Sequence, residues 1–190
     1  MDLLVAALAL VGGYLAGSVP LAAMIGRAAG DDVTRVGERG ASPGSADVWR
    51  LAGPGWGLLA LAGDLAKGLL PVAIGIVTWS WWAGWAAGLG ALLGAGWPLF
   101  GRLPGGRGVV PLAGVAIALS PAAGMVAVLL AALALGVARL MGRTGRVAAI
   151  ATGFGVYPLL FLLDQGDLAR LAGVGVLYLV AVLRTATTRH

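Results

Sequence analysis

Long apolar segments separated by short polar stretches make up most of the chain. Hydrophobic runs cover residues 3–25 and 55–77, a stretch that ends near residue 100, and then 109–137, 147–163 and 171–183. Several of these runs reach about 20 residues, the length of α-helix that crosses the hydrocarbon core of a bilayer. The pattern predicts an all-α bundle of transmembrane helices, and its longest polar stretch is residues 27–54.

Residues 109–137 decide the number of crossings, because Ser120-Pro121 interrupts them. One kinked helix here gives six spans, and two helices give seven. Seven spans with the N-terminus outside and the C-terminus cytoplasmic keep nearly all arginines inside, whereas six move those of residues 138–146 and of the tail outside. The positive-inside rule favours seven. The fourth helix then rises only about 18 Å and must pack against neighbours or line a hollow.

Composition agrees with a membrane protein and narrows the possible chemistry. The 190 residues are 59% hydrophobic and 11% charged, with a mean hydropathy of +0.94, whereas soluble domains carry about a quarter charged residues. Cysteine is absent and the single histidine is His190, so disulfides and thiolate metal sites are excluded, and we expect neither a zinc site nor a Ser-His-Asp triad. We predict one transmembrane domain, residues 1–190, with no metal, no cofactor and no nucleic-acid partner.

Tryptophan and glycine patterns mark features of the bundle that need no chemistry. The run "WSWWAGW" (residues 79–85) is typical of a membrane interface, where indole rings lie at headgroup level. The pairs Gly84/Gly88 and Gly90/Gly94 have the small-xxx-small spacing of closely packed helices. We expect the tryptophans to form an interfacial belt and both glycine pairs to serve helix packing.

The sequence "GRLPGGRG" (residues 101–108) suggests an anion site. Gly105, Gly106 and Gly108 would let backbone N–H groups approach an oxyanion, and the following helix would add partial positive charge. Arg107 could bind a phosphate with two parallel hydrogen bonds. The alternative is a tight turn with an arginine that only sets topology.

The sequence "GDLAKGLLP" places two charges within an apolar span. Asp64 and Lys67 lie on one face of the predicted second helix. Charges at this depth cost a few kcal/mol, so they should face the interior and pair. They could place a substrate, or they could form a structural ion pair.

Further polar residues flank the predicted first span. Ser18 and Arg27 lie in its inner half, where a serine commonly bonds its own helix and an arginine sets topology. The segment "RGASPGSADVWR" (residues 39–50) is either a connector or the wall of a substrate cradle. In the seven-span arrangement it shares the cytoplasmic side with the glycine-rich turn, which predicts a basic pocket for a small phosphorylated molecule.

The chain resembles the bacterial acyl-phosphate:glycerol-3-phosphate acyltransferases, integral-membrane enzymes of the first acylation step in phospholipid synthesis. The resemblance rests on "YLAGSVPLAAMIGR", "SPGSADVWR", "GDLAKGLLP", "WPLF" and "LPGGRGVVPLAGVAIALSP", and extends to about residue 125. It implies seven helices in the bacterial plasma membrane and cytoplasmic loops at residues 27–54, 101–108 and 139–146. It also implies acyl phosphate as donor, glycerol 3-phosphate as acceptor, and lysophosphatidic acid and phosphate as products.

Motif positions give the candidate site. The resemblance and the residue chemistry together assign substrate or phosphate binding to Ser18, Arg27, Ser42, Gly44, Arg50, Asp64, Lys67, Gly105, Gly106 and Gly108, and catalysis to Asp47 and Arg107. With no histidine in the loops, Asp47 is the acid placed to act as a base. Alternatively, a substrate phosphate takes the hydroxyl proton while arginines stabilise the developing charge.

Departures from the family pattern keep other functions open. Arg107 replaces the family's lysine, Ala95 replaces a histidine, and Ala148 replaces a serine. In the long loop the family's serine, asparagine, threonine and asparagine are replaced by Gly40, Ser42, Ala46 and Asp47. Such losses would suit a non-catalytic paralogue that binds phosphate or lipid. A small-anion transporter is a further alternative, although no paired broken helices in repeated halves are evident. Oligomeric state is not predicted.

Overall fold

The computed structural model describes residues 2–30, 44–100, 108–140, 146–165 and 167–187, and within these ranges every regular element is a helix. In chain order the helices are α1 (Leu3–Ser18), α2 (Leu21–Ala28), α3 (Ser45–Ala52), α4 (Pro54–Thr78), α5 (Trp81–Gly96), α6 (Val109–Leu119), α7 (Pro121–Leu140), α8 (Arg146–Gln165) and α9 (Leu168–Thr187). The all-α prediction is confirmed.

The bundle is apolar outside and holds buried polar groups inside. Side chains such as Leu3, Val77 and Leu163 are exposed by 87%, 86% and 76%, whereas Ser18 and Ser120 are almost completely buried. A soluble protein would pay heavily for large exposed apolar areas of this kind, but lipid tails accommodate them. Together with the 25-residue length of α4, this surface fits a helix bundle in a bilayer.

The first predicted span, residues 3–25, is confirmed as a candidate membrane span, but it consists of two helices. It is divided into α1 and α2 at Val19-Pro20, where Val19 is extended, with φ −68° and ψ 122°. Proline lacks an N–H and disfavours helical backbone at the residue before it, so the helix stops there. The two helices together still cover residues 3–28, 26 residues of apolar chain.

The third predicted span ends early, and the break within residues 109–137 is confirmed. Helix α5 ends at Gly96 rather than near residue 100, because Trp97 precedes Pro98 and leaves the helical region. Helix α6 ends at Leu119 and α7 begins at Pro121. At 11 residues, α6 rises roughly 16 Å, too short to cross a bilayer alone.

A short helix, α3, lies within the polar stretch that was predicted only as a loop. Its Val48 is fully buried and packs in a cluster with Ala22 of α2 and Ala60 of α4. Its Trp49 lies against Gly57, where an added methyl group would be 2.6 Å from the Trp49 Cβ. Helix α3 is therefore fixed against the beginning of α4.

Helices α1 and α5 pack in parallel through small residues on both. A methyl group added at Gly13 would lie 1.9 Å from the Ala87 carbonyl oxygen, and one at Gly17 would lie 2.1 Å from that of Ala91. Gly94, in turn, lies against Tyr14 and Ser18. The packing role predicted for Gly90 and Gly94 is confirmed, and the ends of α1 and α5 lie together.

The remaining directions alternate along the chain. Gly75 of α4 lies against Gly84 of α5, and Val72 lies against Gly88, so α4 runs opposite to α5. Gly88 also contacts Val115, which brings α6 against the same face of α5. At the end of the bundle where α5 begins, the ring centroid of Trp81 is 6.0 Å from that of Phe161, near the end of α8.

Helix α8 runs with α6. The Tyr157 hydroxyl donates to the Ala116 carbonyl at 3.1 Å, and the Ser120 hydroxyl donates to Asp164 at 2.5 Å. These two contacts follow one another in the same order along both helices. The beginning of α4, the end of α5 and the beginning of α6 consequently lie at the same end of the bundle as α2 and α3.

Candidate functional site

One end of the bundle, here called the basic end, collects the polar segments singled out in the sequence. It consists of the end of α1, all of α2 and α3, the start of α4, the end of α5 and the start of α6. Leu21 and Ile25 of α2 lie over Gly63 of α4, and α3 packs on the first turn of the same helix. Arg27, in the last turn of α2, and Arg50, in α3, are exposed here.

A buried ion pair lies where α4 crosses α6. Lys67 Nζ is 2.8 Å from Asp64 Oδ1, and the two side chains are only 11% and 12% exposed. The crossing is close, because a methyl group added at Gly68 would lie 2.0 Å from the Pro111 carbonyl oxygen. The predicted pairing is confirmed, and Lys67, whose ammonium has three donors, keeps donors beyond the one Asp64 accepts.

Gly108 marks the point where the chain enters α6. Its φ is +68° and ψ is 8°, a left-handed backbone that residues with a Cβ rarely adopt. Its carbonyl accepts the first helical hydrogen bond, from the N–H of Leu112, at 2.9 Å. Because α6 runs in the direction of α4 and crosses it between Leu65 and Gly68, Gly108 lies near the depth of the Asp64–Lys67 pair.

Asp47 has a structural task in α3. Its Oδ2 accepts the backbone N–H of Gly44 at 3.0 Å, and its Oδ1 is 3.8 Å from an Arg50 guanidinium nitrogen. A carboxylate three residues into a helix that bonds back to the N-cap residue holds the entry of the helix in place. Asp47 as a catalytic base stays a prediction, and the geometry first gives it a capping role.

Ser18 is occupied within its own helix. Ser18 is only 1% exposed, and its hydroxyl donates to the Tyr14 carbonyl at 2.7 Å. This is the local bonding typical of serine in a transmembrane helix. The structure therefore places Ser18 beside the basic end without turning its hydroxyl toward a ligand.

Four predicted site residues, Ser42, Gly105, Gly106 and Arg107, lie outside the described residues. Of the predicted set, the structure brings Arg27, Gly44, Asp47 and Arg50 to the surface of the basic end, and Ser18, Asp64, Lys67 and Gly108 beneath it. Among the described residues, no group of three or more His, Cys, Asp or Glu side chains could hold a metal ion.

Sequence reasoning missed one hydrogen bond at this end. The Tyr14 hydroxyl donates to the Trp97 carbonyl at 2.9 Å, across 83 residues of sequence. Tyr14 is the first residue of the motif "YLAGSVPLAAMIGR", and this position is the one sign in the sequence that it matters. The bond ties the end of α5, where the chain leaves for the glycine-rich turn, to α1.

The opposite end holds a second polar cluster with a different character. Arg170 forms an ion pair with Asp167 at 3.0 Å, and its guanidinium lies 5.3 Å from the Trp81 ring centroid. These contacts join the α8–α9 connection to the start of α5.

Comparisons with known proteins agree with this architecture. A family model described as "Glycerol-3-phosphate acyltransferase" matches residues 7–190. A glycerol-3-phosphate acyltransferase of Rubrobacter xylanophilus is 42% identical over 114 residues, which cover 60% of this chain and 56% of that protein. One from Pseudomonas aeruginosa is 34% identical over 161 residues, which cover 82% of this chain and 80% of the relative.

The fold is also similar to solved structures. The crystal structure of PlsY (YgiH), an integral membrane glycerol 3-phosphate acyltransferase, in its glycerol 3-phosphate form has a TM-score of 0.79 at 25% identity, covering 96% of this chain and 88% of that one. Its lysophosphatidic acid form has a TM-score of 0.78 and covers 94% and 87%. This chain spans just over half the length of two of the relatives that it matches, 56% of the Rubrobacter xylanophilus protein and 55% of the Desulforudis audaxviator protein.

Proposed function

The chain belongs to the glycerol-3-phosphate acyltransferase family, whose model covers residues 7–190, and from this membership we propose that it transfers a fatty acyl group from acyl phosphate to glycerol 3-phosphate. The products are lysophosphatidic acid and phosphate. One observation supports this above the others: exposed arginines, a buried lysine and the glycine that opens α6 lie at one end of a membrane bundle. Both substrates are anionic and one is a lipid, so both would meet the protein there.

We propose seven crossings in a bacterial plasma membrane, counting α1 with α2 as one and α4 to α9 as six, in a single domain of residues 1–190. The alternating helix directions support this count. The N-terminus would lie outside and the C-terminus in the cytoplasm. The cytoplasmic loops would be residues 27–54, 101–108 and 139–146, because the positive-inside rule places the arginine-rich end there.

Phosphate binding is proposed for the cationic and glycine-rich groups of the basic end. Lys67 would offer the donors that Asp64 leaves free, and Asp64 would hold the ammonium in place within the bundle. The remaining contacts would come from arginine forks and backbone N–H groups, at Arg27, Ser42, Gly44, Arg50, Gly105, Gly106 and Gly108. Ser18 would support this set from the end of α1.

The proposed reaction needs little acid–base assistance. An acceptor hydroxyl oxygen attacks the carbonyl carbon of the acyl phosphate, the new ester C–O bond forms, and the bond from carbon to the phosphate oxygen breaks. The hydroxyl proton leaves with phosphate, so no protein base has to retain it. Arg107 would stabilise the negative charge that develops on the carbonyl oxygen and leaving phosphate. Asp47, with its carboxylate engaged by Gly44 and Arg50, would order the loop.

A phosphate-release assay tests the proposal. Purified protein in bilayers, given acyl phosphate, is expected to release phosphate at a rate that depends on glycerol 3-phosphate. Asp47→Asn is the internal control for the proton route: the amide oxygen can still accept the Gly44 N–H, so turnover should stay within about threefold, whereas loss of a general base costs about a hundredfold or more.

The same assay addresses the non-catalytic alternative, which the departures at Ala46, Ala95 and Ala148 favour. Binding of glycerol 3-phosphate, measured by calorimetry, without any release of phosphate would contradict the proposed enzyme and support a binding paralogue. Release that ignores glycerol 3-phosphate would indicate simple hydrolysis and would contradict the proposed acceptor.

A further inference from the structure

The short helix α3 carries a large aromatic side chain on its outer side. Val48 is fully buried in a cluster with residues of α2 and α4, whereas the next residue, Trp49, is 46% exposed. Arg50 lies about 200° around the helix from Val48, so it points away from the bundle, and its side chain is exposed. The Trp49 indole therefore keeps apolar area that the described part of this chain does not cover.

The exposed indole of α3 is continuous with the outer surface of α4. Trp49 lies against Gly57, and the residues on either side of this glycine along the helix, Trp56 and Leu58, are both exposed, as is Leu59. These α4 side chains belong to the apolar outer surface that suits lipid tails. Trp49 extends that surface onto α3.

Helix α4 carries exposed indoles near both of its ends. Trp56 lies in its first turn, and Trp79 follows its last residue, Thr78. The two are about 35 Å apart along the helix at 1.5 Å per residue, which matches a hydrocarbon core of about 30 Å with an interface on each side. Tryptophan is enriched at both interfaces. The two indoles therefore mark the two membrane surfaces, and α3, which packs on the first turn of α4, lies at the level of one of them.

We propose that α3 is an interfacial helix, which lies in the headgroup layer of the leaflet at the basic end. Its partner is the phospholipid surface: the Trp49 indole lies between the headgroups and the acyl chains, and the Arg50 guanidinium extends into the polar layer. Val48 attaches the helix to the bundle, so a single indole is enough to keep this face in lipid. The inference goes beyond the proposed function and does not depend on acyl transfer.

Spin labelling tests this placement, because the sequence has no cysteine. A nitroxide is attached at Trp49→Cys or at Ala46→Cys, three residues apart on one face of α3, in vesicles of phosphatidylglycerol and phosphatidylcholine. Oxygen concentrates among acyl chains and a nickel chelate stays in water, so the ratio of their relaxation effects reports depth. Both labels are expected to give the intermediate ratio of Trp79→Cys. Leu70→Cys, on an exposed residue in the middle of α4, should give the higher ratio of the hydrocarbon core.

Two results would overturn the proposal. Labels at both α3 positions that the nickel chelate reaches as easily as oxygen would place the helix in water. Labels that neither reagent reaches would show that protein, such as a second copy of the chain, covers this face. Ala46→Cys keeps Trp49 and its packing on Gly57, so it stays informative if Trp49→Cys loosens α3. The measurement needs no substrate, so its result is separate from that of the phosphate-release assay.

Discussion

Replacing Lys67 with methionine is expected to cost about 3 kcal/mol of stability and to abolish turnover. The substitution leaves the Asp64 carboxylate within the bundle without the Lys67 ammonium, which lies 2.8 Å from it in the parent protein. An unpaired charge in a buried or membrane site costs a few kcal/mol, far more than the same loss at a surface. Thermal unfolding in detergent and the phosphate-release assay measure the two effects.

The double variant Asp64→Leu/Lys67→Met separates stability from function. Replacing a buried ion pair with apolar groups of similar size is often neutral, so folding should largely recover. Turnover should not recover, because the ammonium proposed to bind phosphate is still missing. A stable and active double variant would show that the pair is only structural, the alternative left open by the sequence.

Gly13→Ala is expected to destabilise the bundle by about 3 kcal/mol, the upper part of the range for overpacking a close interface. The new methyl group would lie 1.9 Å from the Ala87 carbonyl oxygen, and neither backbone can move aside without separating α1 from α5. Turnover should fall as well, because the end of α1 supports the basic end. Thermal unfolding and phosphate release are again the measurements.

Gly12→Ala is the matched control on the same helix. A methyl group there meets nothing within 4 Å, so stability should be unchanged or rise by up to about 1 kcal/mol through better helix propensity. If Gly13→Ala were as stable as Gly12→Ala, the close parallel packing of α1 and α5 would be wrong.

Apolar patterning predicted helix positions best where proline marks a boundary of the apolar run. Helix α4 was expected at residues 55–77 and lies at Pro54–Thr78, and the break at Ser120-Pro121 is where proline chemistry put it. The break at Val19-Pro20 was missed because the apolar run continues across it. Helix α3 was missed because its polar flanks hide one buried residue, Val48, whose partners come from α2 and α4.

The candidate site was predictable only in part. Asp64 and Lys67 share a helix, so their spacing alone indicated the ion pair. The capping role of Asp47 could have been predicted from its position three residues after Gly44. The Tyr14–Trp97 bond depends on how α1 meets α5, which no local pattern reports, because its two groups are 83 residues apart.

The proposed acyl transfer requires that the long polar segment and the glycine-rich turn open on the same side of the membrane. The sequence has no cysteine, so single cysteines at Ala41, Leu103 and Gln165 can be labelled in cells with a membrane-impermeant maleimide. We expect Gln165→Cys to react in intact cells, and Ala41→Cys and Leu103→Cys to react only after the membrane is opened. Reaction of Ala41→Cys and Leu103→Cys from opposite sides would leave no shared pocket and would contradict the proposed acyl transfer.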